Sequence, residues 1–547
     1  MKDVTIQLYS ARVQEQLMVF YQKVFKENHR KLDLHGKDRD LKAIETQYMA
    51  DGCFWCAIDT RGNIIGTLAL RPLSDCHEVR RFFVLRRKHN NGIGTTLLST
   101  AINYAINNNI SELKAATMEE GTAVHHLFAK YGFVITKRYN DSAGDVFFKL
   151  KLDLAYKYNF KLDKLKRHFQ SSLILNPTEN IPMYDDKDKT AFLEGLYVSE
   201  RFKDLNDKII FAGRNEYISF FESLKFKWAD MLGAYDVDLK PLAGLNAHLV
   251  LFLCILQPGE VAMILPEICG GHFSTEKILT SLGVHVLHME PDIIGQCVDI
   301  GKTSDLIYKH NPHYIFVDRS EGLIYEDFSW LRKFDKPYKI FDASQYLSQI
   351  LLKMYNSPFD MGFDMIVSTL HKNYPGPQKG MIAVQEDDTV WKRYVENAKT
   401  YISNTHPLSI ARSLLPSISS SKFREYIDES ALCTNRLESE LERLGIPVVS
   451  KKNMGVPTLH TWILCPTKED SYQYYLKLEQ LNLLVNYRLL PYNLGYGLRI
   501  GTTAAVRCGL RSKHIGSLAR IMAQAYYEPI TPLLKKQAQR FISSINH

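Results

Sequence analysis

The stretch that decides the fold is Asp364-Met-Ile-Val-Ser-Thr-Leu-His-Lys372-Asn-Tyr-Pro-Gly-Pro-Gln-Lys-Gly380. It begins, after Asp364, with the apolar, largely β-branched run Met365 to Val367, which predicts a buried strand that passes through Ser368 and Thr369. Pro375-Gly376-Pro377 predicts a sharp turn before a second strand, Met381 to Val384. Lys372 lies between these strands, where burial would disfavour its ammonium form and allow it to form a Schiff base. A surface lysine in a β-hairpin is the alternative, and these residues alone favour it.

A second segment upstream changes that balance. Lys336-Pro-Tyr-Lys-Ile-Phe-Asp342-Ala-Ser-Gln345 predicts a short strand that ends in Asp342. A carboxylate opposite the pyridinium nitrogen is what a pyridoxal phosphate site requires. The two segments resemble the Asp-x-Ala-His and Thr-His-Lys motifs of fold-type I pyridoxal phosphate enzymes. The run Leu370 to Gly380 is similar to Thr-His-Lys-x-x-x-Gly-Pro-x-x-Gly of the serine hydroxymethyltransferases.

Length and composition set the outer limits. A chain of 547 residues is too long for one ordinary core, so we expect two or more domains, and 45% hydrophobic with 23% charged residues is globular composition. The net charge of +8 comes without a dense basic run, so we expect no nucleic-acid partner. The nine scattered cysteines and the lack of a long apolar span predict a cytoplasmic protein without a membrane segment. We interpret Cys53 and Cys56 as core residues and expect no metal site.

The first 152 residues carry their own pattern. Cys53 to Ile58 and Ile64 to Leu70 predict a β-hairpin, and Glu78 to Val84 predicts a further strand. The basic loop that follows contains Gly92-Ile93-Gly94 and runs into an amphipathic helix. Backbone N–H groups at such a helix start bind anions, and pyrophosphate is a common one. A simple turn with a helix cap is the alternative.

In context, this segment resembles a GNAT-type N-acetyltransferase. The resemblance rests on the order hairpin, strand, Gly-x-Gly, helix, and on the run Ala123 to Phe133. It implies that acetyl-CoA, or another acyl-CoA, is a co-substrate, with Glu78 where a general base often lies. The residues that it places at the pyrophosphate are Arg87, Lys88, Gly92, Ile93 and Gly94. Phe128 replaces the tyrosine that protonates the leaving thiolate in that family, so acid catalysis would need another donor.

From residue 171 to about 530 the resemblance to serine hydroxymethyltransferases continues in chain order. Thr178 matches the family's Ser/Thr-Glu-Asn opening and is implied to contact the substrate. Glu200 stands where the family has the glutamate that hydrogen-bonds the substrate hydroxyl and handles protons. A helix-surface glutamate would be the ordinary interpretation of Glu200 alone.

The same resemblance places the cofactor. Ala243, Gly244 and Leu245 match the phosphate loop at a helix start, without its serine hydroxyls. His272 is implied to stack over the cofactor ring, with a buried structural histidine as the alternative. Gln345 replaces the histidine near the phenolic oxygen of the cofactor, and Thr369 and His371 precede the lysine as in the family.

Arg499, in Gly497-Leu-Arg-Ile-Gly-Thr, matches the arginine that binds the substrate α-carboxylate. A surface ion pair is the alternative. Its presence implies an amino-acid substrate. Residues 403–406 fall where the family's glycine-rich loop reaches the phosphate of the other subunit, so a homodimer is implied.

The predicted fold is α/β: a GNAT-type mixed sheet domain, then a fold-type I transferase with a large α/β and a small α+β domain. The expected segments are 1–152 for the GNAT domain, 153–170 for a linking helix, 171–400 for the large domain, 401–530 for the small domain, and 531–547 for a tail.

The expected function is bifunctional. Chemistry at Cα of an amino acid, of the aldol or hydroxymethyl-transfer type, would use Lys372, Asp342, Glu200, His272 and Arg499, and the first domain would acylate an amine. Transamination or decarboxylation on the same scaffold is one alternative. A non-catalytic first domain that senses acyl-CoA is another.

Overall fold

The computed structural model describes residues 4–120, 122–153, 156–157, 160, 171–175, 215–402, 406–418, 420–451 and 455–545. The chain forms two compact units, Met1–Gln170 and Ser171–His547. The predicted linking helix lies mostly outside the described residues. Among the described helices, none combines the length and the apolar character that a bilayer crossing needs.

The described residues of the first unit form seven strands and four α-helices. The strands are β1 (Val4–Leu8), β2 (Cys53–Asp59), β3 (Ile64–Pro72), β4 (His77–Val84), β5 (Glu112–Thr117), β6 (Val134–Thr136) and β7 (Val146–Lys151). The helices are α1 (Gln14–Glu27), α2 (Ile44–Tyr48), α3 (Ile93–Asn107) and α4 (Thr122–Lys130). The predicted hairpin and the predicted strand after it are confirmed as β2, β3 and β4.

These strands form one mixed sheet in the order β1-β2-β3-β4-β5-β7-β6. Neighbouring strands are antiparallel except β4 and β5, which are parallel and pair His77–Val79 with Leu113–Ala115. Both strands continue beyond this short pairing, so the sheet opens between their carboxyl ends. The loop after β4 and the start of α3 follow directly from this opening.

Phe128 of α4 lies in the core of the first unit, where 1% of its surface is exposed. Its ring packs against Phe133 and Phe148, with ring centroids 4.7 and 5.3 Å away. Cys53 and Cys56 are buried in β2, as predicted.

The second unit contains the remaining strands. They are β8 (Leu173–Ile174), β9 (Asp236–Asp238), β10 (Val261–Ile264), β11 (His285–His288), β12 (Pro291–Asp292), β13 (Cys297–Val298), β14 (Tyr314–Val317), β15 (Ile324–Tyr325), β16 (Tyr338–Asp342), β17 (Met365–Thr369), β18 (Gly380–Val384), β19 (Val456–Pro457), β20 (His460–Leu464), β21 (Leu483–Leu484), β22 (Asn486–Leu490) and β23 (Gly495–Gly501).

Its helices lie between and after these strands. They are α5 (Asn215–Leu232), α6 (Gly244–Ile255), α7 (Thr275–Ser281), α8 (Ile300–His310), α9 (Leu347–Leu351), α10 (Thr389–Tyr401), α11 (Pro407–Arg412), α12 (Leu415–Ile418), α13 (Ser420–Arg443), α14 (Lys468–Gln480), α15 (Thr503–Arg507), α16 (Ile515–Tyr527) and α17 (Pro532–Ile545). The last helix, α17, lies in the expected tail, 531–547.

The large sheet has the order β11-β10-β14-β16-β17-β18-β9. The strands β11, β10, β14, β16 and β17 are parallel, β18 is antiparallel to β17, and β9 is antiparallel to β18. Six strands therefore run in one direction, and their carboxyl ends meet at one edge. Buried β-branched and aromatic residues fill these strands, as expected where helices cover both faces of a sheet.

A smaller antiparallel sheet of β20, β23 and β22 lies in the C-terminal part, where α13 and α14 pack against it. The predicted α/β fold class, with a mixed-sheet first domain, is confirmed.

Replacing Phe128 with alanine tests the packing of the first unit. Removing a fully buried ring should destabilise that unit by about 3–5 kcal/mol. Hydrogen exchange in the full chain, measured by mass spectrometry on peptides from β2 to β7, would report the loss. Ile135→Ala is the matched control because 74% of Ile135 is exposed, and it should change stability by about 0.5 kcal/mol or less. Equal exchange in both variants would contradict this packing.

Candidate active site

Asp342 and Lys372 come together because they follow neighbouring parallel strands. Asp342 is the last residue of β16 and is in register with Val367 of β17. Lys372 follows three residues after the end of β17. Carboxyl ends of parallel strands form the usual ligand-binding edge of an open α/β sheet.

The Asp342 carboxylate is held by two donors. Its Oδ2 lies 2.7 Å from His248 Nε2, and its Oδ1 accepts the backbone N–H of Ser344 at 2.7 Å. Burial alone would raise the pKa of Asp342, but the hydrogen bond and charge of His248 and the charge of Lys372 lower it to about 2. Asp342 is therefore an anion across the physiological pH range.

The surroundings of Lys372 favour the neutral form of its amine. Burial lowers its pKa from the ordinary lysine value, and the positive charge of Arg499 acts in the same direction. The negative charge of Asp342 opposes this shift without cancelling it. A neutral amine is the form that can attack a carbonyl carbon or accept a proton.

The amino end of α6 faces the same edge. Gly244 begins this helix after Ala243, and a Cβ at Gly244 would lie 3.2 Å from the Thr369 Cβ. The first-turn N–H groups of a helix have no acceptors within it, so those of Gly244 and Leu245 can bind an anion. A side chain at position 244 would therefore crowd Thr369 of β17, which favours glycine there.

Two imidazoles beside Lys372 are uncharged at neutral pH. Burial, aided by the charges of His248 and Lys372, lowers the pKa of His272 to about 4. Burial and the charge of Lys372 lower the pKa of His371 to about 4. The Nδ1 of His272 lies 2.7 Å from Ser274 Oγ, and the Thr369 hydroxyl lies 2.6 Å from His371 Nδ1. A neutral, flat imidazole at position 272 is suited to stacking on an aromatic ring.

Gln345 is the residue whose polar atoms most need a ligand. It is 5% exposed, and neither its Oε1 nor its Nε2 has a hydrogen-bond partner within the described residues. Buried amides without partners are rare in folded proteins because leaving one unpaired costs about 1–3 kcal/mol. A bound molecule with a hydrogen-bonding oxygen would satisfy it.

Arg499, on β23, presents one free edge. Its Nη1 donates to Glu321 Oε1 at 2.5 Å and to the Ser320 carbonyl at 3.0 Å. Its Nε and Nη2 are buried and have no partner in the described part of the chain. These two atoms form the side of a guanidinium that binds a carboxylate with two parallel hydrogen bonds. Arg499 is thus not engaged in a surface ion pair.

In the first unit, the predicted pyrophosphate residues lie at the opening of the sheet. Gly92 has a left-handed φ of 76° and caps α3, which begins with Ile93 and Gly94. Arg87 and Lys88 lie in the preceding 3₁₀ turn, with their side chains exposed or half-exposed. The loop therefore brings basic side chains and the amino end of a helix to one surface.

Glu78 does not have the surroundings expected of a base. It is completely buried, and its carboxylate contacts four side chains: Arg71 at 2.7 Å, Arg80 at 3.5 Å, Tyr139 at 2.9 Å and Asn140 at 2.8 Å. The carboxylate of Glu78 is thus enclosed by protein side chains that already contact it. This geometry does not support the predicted base role.

Three parts of the predicted site, Thr178, Glu200 and residues 403–405, lie outside the described residues. Other residues of the site were not predicted from the sequence. His248, Glu321 and Arg488 were not predicted. His248 could have been found, because an ionisable residue within the apolar run of α6 needs a buried partner.

Comparisons with known proteins agree with this division of the chain. Residues 17–133 match the acetyltransferase (GNAT) family. Serine hydroxymethyltransferase from Metallosphaera sedula is 24% identical over 358 residues, covering 60% of this chain and 80% of that protein. The Sulfolobus acidocaldarius serine hydroxymethyltransferase is 23% identical over 382 residues, covering 65% and 84%.

A solved structure shares the fold of the second unit. The crystal structure of L-threonine transaldolase from Pseudomonas fluorescens matches with a TM-score of 0.65 and 20% identity, covering 71% of this chain and 91% of that one. The protein is therefore an enzyme of two fused parts. Its N-terminal part is similar to the GNAT acetyltransferases, and its second unit is similar to serine hydroxymethyltransferases and has the fold of fold-type I enzymes.

The pKa of Lys372 can be tested by chemical labelling. In the chain freed of small molecules, acetic anhydride should label Lys372 at lower pH than exposed Lys302, whose pKa is raised by Asp299. Asp342→Asn removes a charge that raises the pKa of Lys372, so labelling at neutral pH should become severalfold faster. Arg499→Met removes a charge that lowers this pKa, so labelling should slow.

Mass spectrometry of the peptide that contains Lys372 measures these rates against pH. Lys302 is the internal control and should react alike in all three proteins. A Lys372 profile that coincides with that of Lys302 would contradict the geometry described above.

Proposed function

We propose that the second unit is a pyridoxal phosphate enzyme that acts at Cα of an amino acid by aldol-type or hydroxymethyl-transfer chemistry. The observation that carries this proposal is the meeting of Asp342, Lys372 and the amino end of α6 at one sheet edge. The first unit is proposed to bind acyl-CoA and to acylate an amine.

The residues present fit the cofactor. Asp342 would hold the ring nitrogen, the N–H groups at the start of α6 would hold the phosphate, and Lys372 would hold the aldehyde carbon. His272 would cover one ring face, and the unpaired amide of Gln345 would meet the phenolic oxygen. Pyridoxal phosphate, when bound, supplies an electron-accepting ring that stabilises negative charge at Cα.

The residues of the chain do the remaining work. Asp342 keeps its negative charge because His248 donates to it. Arg499 binds the substrate carboxylate through Nε and Nη2, which fixes the orientation of the bonds at Cα. Lys372 Nζ, whose pKa is lowered, can accept and return a proton beside Cα.

Aldol-type chemistry is preferred because of the relatives. The matched proteins include serine hydroxymethyltransferases and an L-threonine transaldolase. A retro-aldol cleavage of a β-hydroxy amino acid breaks Cα–Cβ, transfers the hydroxyl proton to the enzyme, and releases an aldehyde. A proton that the enzyme returns to Cα then completes glycine. Glu200 is the residue proposed to take that proton, and Thr178 is proposed to contact the substrate.

The purified protein tests the cofactor assignment. With pyridoxal phosphate it should show a visible absorption band, and borohydride reduction followed by peptide mass spectrometry should find the cofactor on Lys372. Lys372→Ala should lose the band and more than 99% of the activity, as expected for removal of a covalent catalyst. Lys302→Ala is the control and should keep both. A wild-type protein that stays colourless would refute the proposal.

Product analysis separates the reactions. With threonine, aldol cleavage yields acetaldehyde and glycine, decarboxylation yields carbon dioxide, and transamination yields a 2-keto acid. Acetaldehyde together with glycine supports the proposal. Either of the other products would instead support transamination or decarboxylation.

For the first unit, the basic loop and the capped start of α3 support acyl-CoA binding. A second candidate function, sensing acyl-CoA without transfer, is favoured by one observation: Glu78 is enclosed and Phe128 is buried without a transferable proton. Release of CoA in the presence of amines, including the amino-acid products of the second unit, decides between transfer and sensing.

Replacing Gly92 with alanine tests the acyl-CoA site. The left-handed φ of 76° strains any residue with a Cβ, so the loop should shift and acetyl-CoA affinity should fall about tenfold or more. Gly62→Ala is matched, since Gly62 has a φ of 79° with open space around it in the β2–β3 turn. Calorimetric titration of both variants should show weaker binding for Gly92→Ala alone. Equal affinities would place acyl-CoA elsewhere or exclude it.

Homodimerisation and a cytoplasmic location stay predictions, as do the functional roles assigned to individual site residues. We infer the homodimer only from the match to serine hydroxymethyltransferases at residues 403–406.

A further inference from the structure

Two arginines of the small sheet share one buried glutamate. Arg488 lies on β22 opposite Gly497, and Arg499 lies two residues further along β23, so the two side chains are diagonal neighbours on one face. Glu321, in the loop after β14, contacts both: its Oε1 accepts from Arg499 Nη1 at 2.5 Å and from Arg488 Nη1. We call this group the Arg-Glu-Arg triad.

The triad adjoins the proposed active site. The charges of Arg499, Glu321 and Arg488 all act on Lys372, and the charge of Arg488 also acts on His272. The side chains of Glu321 and Arg499 are 3% and 1% exposed, whereas that of Arg488 is 32% exposed. Arg488 is therefore the member that a substrate side chain could reach from the open side.

The triad has one net positive charge, because a single carboxylate faces two guanidinium ions. The free edge of Arg499, Nε and Nη2, is where that charge meets a ligand. Without Glu321, the two guanidinium ions would repel each other, and both would attract anions. With Glu321, the net positive charge of the triad can neutralise one substrate carboxylate but not a second one.

We propose that Glu321 is a specificity and positioning residue. It fixes Arg499 through Nη1 so that Nε and Nη2 face the α-carboxylate, and it neutralises Arg488 so that amino acids with an acidic side chain are disfavoured. This inference rests on the proposed function of the second unit. It identifies the substrate class as amino acids that carry a single carboxylate.

The test is a set of variants that change the triad charge in opposite directions. Glu321→Gln keeps the shape and adds one positive charge, so the affinity for aspartate and glutamate relative to serine and threonine should rise about tenfold or more. Arg488→Met removes one positive charge, so all amino acids should bind less tightly than to the wild type. Amino acids with an acidic side chain should bind least tightly. The double variant Glu321→Gln/Arg488→Met has the original net charge of the triad. Its ratio of affinities for acidic and neutral amino acids should therefore return toward that of the wild type.

Affinities are measured from the change in the visible spectrum of the holoenzyme during titration with each amino acid. Glu326→Gln is the matched control, since Glu326 is a buried partner of Arg319 outside the triad, and it should leave the ratio unchanged. Glu321→Asp keeps the negative charge and should keep the wild-type preference for neutral over acidic amino acids. If only the length of the Glu321 side chain mattered, this variant would lose that preference.

Three results would overturn the inference. One is an unchanged acidic-to-neutral ratio in Glu321→Gln. Another is a ratio in the double variant that stays as high as in Glu321→Gln. If Glu321→Gln fails to fold, as judged by hydrogen exchange, then Arg488→Met provides the test. The third contrary result is an Arg488→Met variant that binds neutral amino acids as tightly as the wild type does. A wild-type holoenzyme that forms but ignores all amino acids would refute the proposed function itself, and the inference with it.

Discussion

The hydrogen bond between His248 and Asp342 is the interaction on which the candidate site depends. It joins α6, whose amino end is the proposed phosphate site, to the end of β16, and thereby fixes both relative to Lys372. It also keeps a buried carboxylate ionised, since the pKa of Asp342 is lowered to about 2 despite burial. One contact therefore sets the geometry and the charge of the proposed ring-binding site.

The remaining charges of the pocket are arranged around that anion. Arg499 and Lys372 are buried basic groups whose charges oppose each other, and the negative charge of Glu321 acts on both, as that of Asp342 acts on Lys372. Buried charges of one sign are costly unless partners of the other sign accompany them. Arg499 and Gln345 are among the residues with unpaired buried polar atoms, and the proposed function supplies ligands for both.

Much of the fold could be predicted from the sequence, because the strands of the large sheet are short apolar runs bounded by Gly, Pro and Asp. The strand before Lys372 and the strand that ends at Asp342 have the predicted bounds within a residue or two. The pairing of β16 with β17 could not be derived from periodicity alone. The resemblance to fold-type I enzymes, which is confirmed, implied that Asp342 and Lys372 belong to one site.

The Arg-Glu-Arg triad and the enclosure of Glu78 could not be predicted. Glu321 and Arg488 are separated by more than a hundred residues, and each has the sequence surroundings of an ordinary loop or edge-strand residue. Only the register of β22 with β23 shows that Arg488 and Arg499 share a face. Glu78 lies on a strand whose pattern gives no sign of the donors from Tyr139 and Asn140, which follow β6.

A crystal structure of the protein grown with pyridoxal phosphate and without an amino acid tests the central claim most directly. The account predicts electron density for the ring at the carboxyl edge of the large sheet, with its nitrogen within hydrogen-bonding distance of Asp342 and its aldehyde carbon bonded to Lys372. A ring bound elsewhere, or an Asp342 carboxylate that contacts only His248 and Ser344 in that crystal, would contradict it.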